Sequence, residues 1–275
     1  MNLNERVISE IEFLVENSSL NRNHRYGFSY FKSPLVGFVS VNNPLFSDYK
    51  DIIGDFHYHP KEFFETLPED GTVIVWVLPV SEEVRKSNAK ENRFPSLYWA
   101  LQREYGERFN MLIRKHIQEY MTKAGYNAVS PMLSDKWKRL DNTKVGLAST
   151  WSERHAAFAA GLGTFSLSDG FITRRGIAHR CGSVVTDAVL NVSAFEYSDH
   201  RENCLFFNNI AECGECISRC PAGAITEKGH DKSLCDKYTY NTIRRLRGDY
   251  YNVETTGCGL CQTAVPCEYR LPFKE

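Results

Sequence analysis

The chain has 275 residues, 42% of them hydrophobic and 24% charged, with a formal net charge of -1. That length can bury a substantial core in one large or two smaller domains, and the composition excludes a disordered or fibrous protein. The near-neutral balance supplies no global field for DNA, RNA or an anionic membrane.

The N-terminal MNLNERVISEIEFLVENS sets Val7, Ile8, Ile11, Leu14 and Val15 at helical spacing and mixes charges among them. It therefore reads as a helix over 4–16 and not as a signal peptide. GFSYF and LVGFVSV suggest short strands. TVIVWVLPV, residues 72–80, is too short to span a bilayer and suits a strand buried on both faces. A cytoplasmic protein without a membrane is the expectation.

One or two amphipathic helices are predicted over 96–124, ending near Gly125. A further helix is predicted over 148–160, with Thr150 and Glu153 as a capping box and Gly161 as its stop. CGSVVTDAVL, residues 181–190, reads as another strand. Alternating helices and strands favour a layered α/β or α+β domain over residues 1–200. From 201 to 275 the character changes to cysteine, glycine and polar loops, the mark of a smaller cofactor-binding domain.

No cysteine precedes Cys181, and eight of the nine fall between Cys204 and Cys267. In ECGECISRCPAG, Cys213, Cys216, Cys220 and Pro221 match the last three sulfurs of a ferredoxin-type run, while Ile210 stands where the first belongs. Cys204 is the simplest replacement. GCGLCQTAVPC adds Cys258, Cys261 and Cys267, and Cys235 lies between the two groups. Two iron–sulfur cubes need eight thiolates, and the cysteine preceding proline serves the other cube. The predicted ligand sets are Cys204, Cys213, Cys216 and Cys267 for one [4Fe-4S] cluster, and Cys220, Cys235, Cys258 and Cys261 for the other. Zinc also uses paired Cys-x-x-Cys units, but gives no reason for the Cys-Pro step.

CGECISRCPAGAIT, GHDKSLC and TGCGLCQ, with AAFAAGLGTFSLSDGFIT and RCGSVVTDAVL upstream, resemble the epoxyqueuosine reductase and reductive dehalogenase superfamily over about 148–267. The resemblance implies a nitroreductase-like α/β domain holding cobalamin, followed by a two-cluster ferredoxin-like module that feeds electrons to cobalt. It also implies that Gly161, Leu162, Gly163, Thr164, Arg180, Gly182 and Ser183 lie along the corrinoid pocket. Epoxyqueuosine reductases place an acidic proton donor where Leu147 stands here, and their tRNA-acting chains usually continue beyond the point where this one ends. A twin-arginine leader, usual in respiratory dehalogenases, is not found, since Arg174-Arg175 is internal.

Other residues carry two readings. Gly161 and Gly163 could simply end a helix. Arg174, Arg175, His179 and Arg180 could grip a phosphate or form a solvated loop. His57 and His59 would share a strand face, a metal pair or a structural one. Cys181 could be a reactive thiol or a buried small hydrophobe. Tyr238, Tyr240, Tyr250 and Tyr251 could donate a proton or pack.

The expected function is an oxidoreductase drawing on an electron donor such as a ferredoxin or flavodoxin and reducing a small molecule or corrinoid. A non-catalytic ferredoxin-type carrier with a docking domain is the alternative. A zinc-stabilised nucleic-acid module would require basic grooves that the composition does not announce, although tRNA is left open.

Overall fold

The computed structural model describes residues 1–66, 68–208, 210 and 212–273. Its centre is a four-stranded antiparallel sheet in the order β1 (Leu35–Ser40), β2 (Thr72–Pro79), β8 (His179–Thr186) and β3 (Ala128–Val129). Every residue of β2 is buried, as its unbroken β-branched run predicts. β8 pairs with it along its whole length, from His179 opposite Pro79 to Thr186 opposite Thr72.

Side-chain alternation splits β2 between two cores. Ile74, Trp76 and Leu78 face α1 (Leu3–Asn17) and α5 (Glu107–Lys123), packing with Val7, Ile11, Ile113 and Ile117. Val73, Val75 and Val77 face α2 (Leu45–Ile52) and α6 (Glu153–Ala159), packing with Phe46, Tyr49 and Trp151. Each such side chain, fully withdrawn from water, contributes about 1.5–3 kcal/mol. The Trp76 indole N–H is satisfied by Asn110 Oδ1 at 2.9 Å.

Most predicted elements stand within a few residues of their predicted ends. α1 has a capping box formed by Asn2 and Glu5. The 96–124 stretch is α4 (Leu97–Leu101), a π-helical turn (Gln102–Gly106) and α5. Two boundaries differ. Residues 148–152 are not helical: β5 (Gly146–Ser149) pairs with β4 (Arg139–Thr143), and Thr150 bonds the Lys136 carbonyl and the Lys138 N–H in place of capping. The last strand runs two residues earlier and stops at Thr186, where Asp187 takes the Asn127 N–H and side-chain amide. The stop at Gly161 holds, at φ +69°.

The small pair β6 (Gly163–Phe165) and β7 (Phe171–Thr173) leads to the cysteine-rich segment. A third core collects Leu167, Ile172, Ile177, Cys204, Ile225 and Val265 there. The Ile177 N–H donates to the Cys267 carbonyl at 2.8 Å, and Arg85 pairs with Glu268 at 2.5 Å. Arg219 donates to the carbonyls of Leu260, Thr263 and Glu91. The cysteine segment is thereby bonded directly to β8 and α3 (Glu82–Ala89). Among the described residues, no helix is long and apolar enough to cross a membrane.

Candidate functional site

The cysteines gather in two places. Cys204, Cys213, Cys216 and Cys267 line an apolar cavity walled by Ile172, Ile177, Phe206 and Val265. Cys220, Cys235, Cys258 and Cys261 line the floor of a much larger cleft, and Cys261 also borders the first cavity. Ile210, at the place of the missing sulfur, is exposed. Among the described residues no three His, Cys, Asp or Glu side chains converge on a point that one ion could occupy. The thiols stand instead around the walls of enclosed space.

Electrostatics follow the same division. Burial, then the charges of Cys204 and Cys213, push the Cys216 thiol up to about 12, and burial with Cys204, Cys216 and Cys213 pushes Cys267 up as well. Cys258 is pushed to about 12 by burial and by Cys235 and Cys220. Cys261 rises through burial and the nearby Cys258 and Cys235. Thiols crowded this way need a cationic partner to ionise together.

Two glycines let the Cys258 loop approach α4. Gly257 and Gly259 have φ of +63° and +67°, and a methyl group at Gly259 would overlap the Trp99 indole. The Ala224 N–H points at Cys220 Sγ across 3.3 Å, the kind of amide contact that steadies a cluster thiolate.

The large cleft holds about 1120 Å³ of space, at the upper end of the range for small-molecule pockets. Its walls come from α2 (Tyr49, Ile52), the β4–β5 hairpin (Arg139, Leu147), α6 (His155, Phe158), the start of β8 (His179, Arg180) and the π-turn after α4 (Arg103). Tyr240 comes from a second π-helical segment, Lys237–Ile243, which follows α7 (Lys232–Asp236).

The charges at the Arg103 end are uneven. Arg103 Nη2 donates to the Tyr240 hydroxyl at 3.3 Å. Among the described residues Arg180 has one ion-pair partner, Glu107 at 3.7 Å, and that carboxylate is already bonded to Arg114 at 2.8 Å. Burial and the adjacent Arg103 push Arg180 down to about 10. Burial alone would raise Tyr240, but Arg103 and Arg180 together pull it below the usual tyrosine value. His155 and His179 are pushed by burial to about 3 and about 4, so both are neutral near pH 7.

Of the residues that the resemblance placed on a corrinoid pocket, Arg180 lines this cleft. The others have packing partners in the chain. Gly161 backs onto the Ala194 carbonyl, Gly163 onto the Ile172 carbonyl and Gly182 onto the Trp76 indole. Leu162 covers Gly37, and the Thr164 hydroxyl accepts from the Asn203 N–H at 2.9 Å. Ser183 donates to Glu153 at 2.5 Å and accepts from the Trp151 indole at 3.0 Å.

Leu147 is in the cleft wall. Arg174 and Arg175 are exposed, so the basic run splits after them. His57 and His59 do not share a strand: His57 is buried against Trp151, and His59 caps the short helix Pro60–Phe63. Cys181 is a buried thiol pushed by burial to about 12, which is the bland reading. Tyr238 and Tyr251 donate to the carbonyls of Arg93 and Pro95, while Tyr250 is exposed. Arg103 and His155 gave no sequence signal, since each sits in an amphipathic helical pattern.

No protein-family model matches the chain, and no curated protein matches it. Solved structures do. A catabolic reductive dehalogenase, NpRdhA, superposes with a TM-score of 0.52 at 16% identity, covering 87% of this chain and 30% of its own. An epoxyqueuosine reductase from Bacillus subtilis superposes with a TM-score of 0.50 at 13% identity, covering 95% of this chain and 66% of its own. A selenomethionine-labelled epoxyqueuosine reductase gives 0.50 at 14% identity, with the same coverage of 95% and 66%. The chain thus spans about a third of the dehalogenase and under two-thirds of the epoxyqueuosine reductases. In fold, it stands with the reductive dehalogenases and the epoxyqueuosine reductases.

Proposed function

We propose that the protein is an iron–sulfur reductase. Electrons enter at a [4Fe-4S] cluster held by Cys204, Cys213, Cys216 and Cys267, pass to a second held by Cys220, Cys235, Cys258 and Cys261, and leave into the cleft. In this reading residues 1–200 form a nitroreductase-like domain and residues 201–275 a two-cluster ferredoxin-like module. One observation carries it: the second cysteine group borders the same cleft as Arg103, Arg180 and Tyr240, so an electron source and a proton source face one space.

The thiols fit clusters because they line walls around a volume, as a cube of iron and sulfide requires, and the Ala224 amide is aimed at one sulfur. The cleft's volume is on the scale of a large ligand such as a macrocycle, and Arg180 is the residue of the resemblance set that faces it. A cobalamin bound there would supply the low-potential metal chemistry that breaks the substrate bond.

The chain's own residues do the rest. The reduction consumes two electrons, supplied singly through the clusters by a ferredoxin- or flavodoxin-class donor, and a proton. Tyr240 is the proton source: its hydroxyl reaches the cleft, and Arg103 and Arg180 stabilise the tyrosinate that remains. Leu147, where the resemblance calls for an acid, cannot supply it, which leaves the task to another residue of the cleft wall. Neutral His155 and His179 add no competing positive charge near pH 7. Cysteine ligands kept as thiolates ask for a reducing compartment, the cytoplasm.

Anaerobic purification followed by metal analysis tests this. About eight irons per chain, with cobalt near one after reconstitution with cobalamin, is the expected result. Iron without cobalt after reconstitution favours the electron-carrier alternative, and protein that stays iron-free after rebuilding with iron and sulfide overturns both.

A further inference from the structure

The cleft's charge balance identifies one feature of its ligand. Arg103 hydrogen-bonds a neutral phenol and no carboxylate, because Glu104 beside it is engaged by Arg108 at 2.5 Å and by the Thr255 N–H at 3.0 Å. Arg180 leans on Glu107, whose closer partner is Arg114. Arg114 has a second acid, Glu153, at 3.3 Å, but Glu153 does not line the cleft and accepts a hydrogen bond from Ser183. The other acids on the cleft wall also have cationic partners: Asp169 has His230 at 3.3 Å, and Asp236 has Arg139 at 2.8 Å on Oδ2, while its buried Oδ1 has no hydrogen-bond partner among the described residues. Arg103 and Arg180 therefore face the cleft with Glu107, already bonded to Arg114, as the one ion-pair partner between them among the described residues.

Both guanidiniums are partly buried and open to the cleft, so a ligand that brings an anion there would gain charge-assisted contacts with them. Their planar forks suit a compact oxyanion, and the Tyr240 hydroxyl adds a neutral donor beside them. We infer that Arg103, Arg180 and Tyr240 form a binding seat for a carboxylate or phosphate group on the molecule that occupies the cleft.

This rests on the reductase reading only for the identity of the occupant. The oxyanion has two sources: the substrate, or the phosphate in the nucleotide tail of a cobalamin. Their chemistry at the seat is the same.

Calorimetric titration of the anaerobically purified full chain with benzoate and with inorganic phosphate tests the seat. Saturable binding that weakens as chloride rises is expected. Arg103→Gln and Arg180→Gln should each weaken it by about 10- to 100-fold, the loss of one charge-assisted contact. Arg180→Lys, which keeps the charge without the fork, should recover part of the affinity. Circular dichroism and iron content matching the parent chain guard against misfolding; where a glutamine variant fails that check, the lysine variant at the same site is compared in its place.

Prior loading with cobalamin or with cobinamide, which lacks the nucleotide tail, separates the sources. Phosphate binding blocked by cobalamin alone places the tail phosphate in the seat; binding blocked by neither places the substrate's own group there. Absence of any saturable binding to the parent chain, or glutamine variants that bind as well as it does, overturns the inference. Anion binding by a chain that takes up no iron would sink the reductase reading and leave this one standing. Iron and cobalt uptake without anion binding would do the reverse.

Discussion

Arg103 Nη2 and the Tyr240 hydroxyl meet at 3.3 Å although 137 residues separate them, and each sits in a π-helical turn, Gln102–Gly106 and Lys237–Ile243. A π-turn inserts an extra residue and rotates the side chains that follow, which is why such turns gather at functional sites. The pairing has a measurable consequence. Arg103 and Arg180 hold Tyr240 below the ordinary value of ~10, so an ultraviolet difference titration should show one tyrosine ionising early. Tyr240→Phe should abolish that early step, and Arg103→Met should move it back up.

The stability effect has a definite sign. A tyrosine whose folded value lies below its unfolded one stabilises the native state fully above pH ~10 and loses that contribution as pH falls through the folded value. Because Tyr240 is the proton source, Tyr240→Phe should lose most of the reduction activity, with substrate binding weakened only by one neutral contact, while Arg103→Met should lose both. Equal loss of both in the phenylalanine variant would assign Tyr240 to binding alone.

How much of this was legible in the sequence depends on how local each cause is. Thr72 to Pro79 declared a buried strand because its burial on both faces demands apolar residues at every step. The cysteines declared themselves because no other side chain does their chemistry, and Cys204 lines one cavity with Cys213, Cys216, Cys261 and Cys267. The start of α6 was misplaced because Ala148 and Ser149 are held by strand pairing with Leu140 and Arg139, a contact absent from local propensity. Arg103 was invisible, since an arginine in an amphipathic helix ordinarily faces water. Gly161 and Gly163 do permit close backbone approach, but what approaches is the chain's own Ala194 and Ile172.

The two cysteine groups should fail independently. Cys213→Ser and Cys258→Ser should each lower the iron content from about eight to about four per chain, and the double variant should be nearly iron-free. Gly259→Ala should mimic Cys258→Ser without touching a sulfur. It forces a left-handed residue, costing about 1–2 kcal/mol, and drives a methyl group into the Trp99 indole at the neck of the Cys258–Cys261 loop. Electron paramagnetic resonance of the reduced chain reads the outcome, because coupled clusters give a broadened signal and a lone cluster a simple one. Full iron in Gly259→Ala would mean the loop can retreat from α4.

Acid should weaken the fold through His57. Its ring is 1% exposed, stacks on Trp151 and accepts the Ser152 N–H, and burial with the nearby Lys50 pushes it from 6.5 to about 4. The unfolded chain binds a proton there that the native chain refuses, so stability is full above pH ~6.5 and lost as pH falls towards 4. The whole shift is worth about 3 kcal/mol. Denaturant midpoints between pH 7 and pH 5 should fall less steeply in His57→Phe, which keeps the stack on Trp151, than in the parent chain. Parallel slopes would place the acid sensitivity elsewhere.

Arg114 offers the sharpest stability test, because its side chain is 2% exposed and holds three groups at once. It bonds Glu107 at 2.8 Å, Glu153 at 3.3 Å and the Cys181 carbonyl at 2.9 Å, joining α5, α6 and β8 beneath the cleft. Burial already pushes the Glu153 carboxyl up, and the Arg114 charge is the chief force opposing that rise. Arg114→Leu should cost about 3–5 kcal/mol, since Glu153 is left without its cation and Glu107 keeps only the more distant Arg180. Adding Glu153→Gln should return part of the loss, because a neutral amide keeps the Ser183 contact without a buried charge. If the double variant is no more stable than Arg114→Leu alone, the cost lies in packing against α5 and not in the stranded charge.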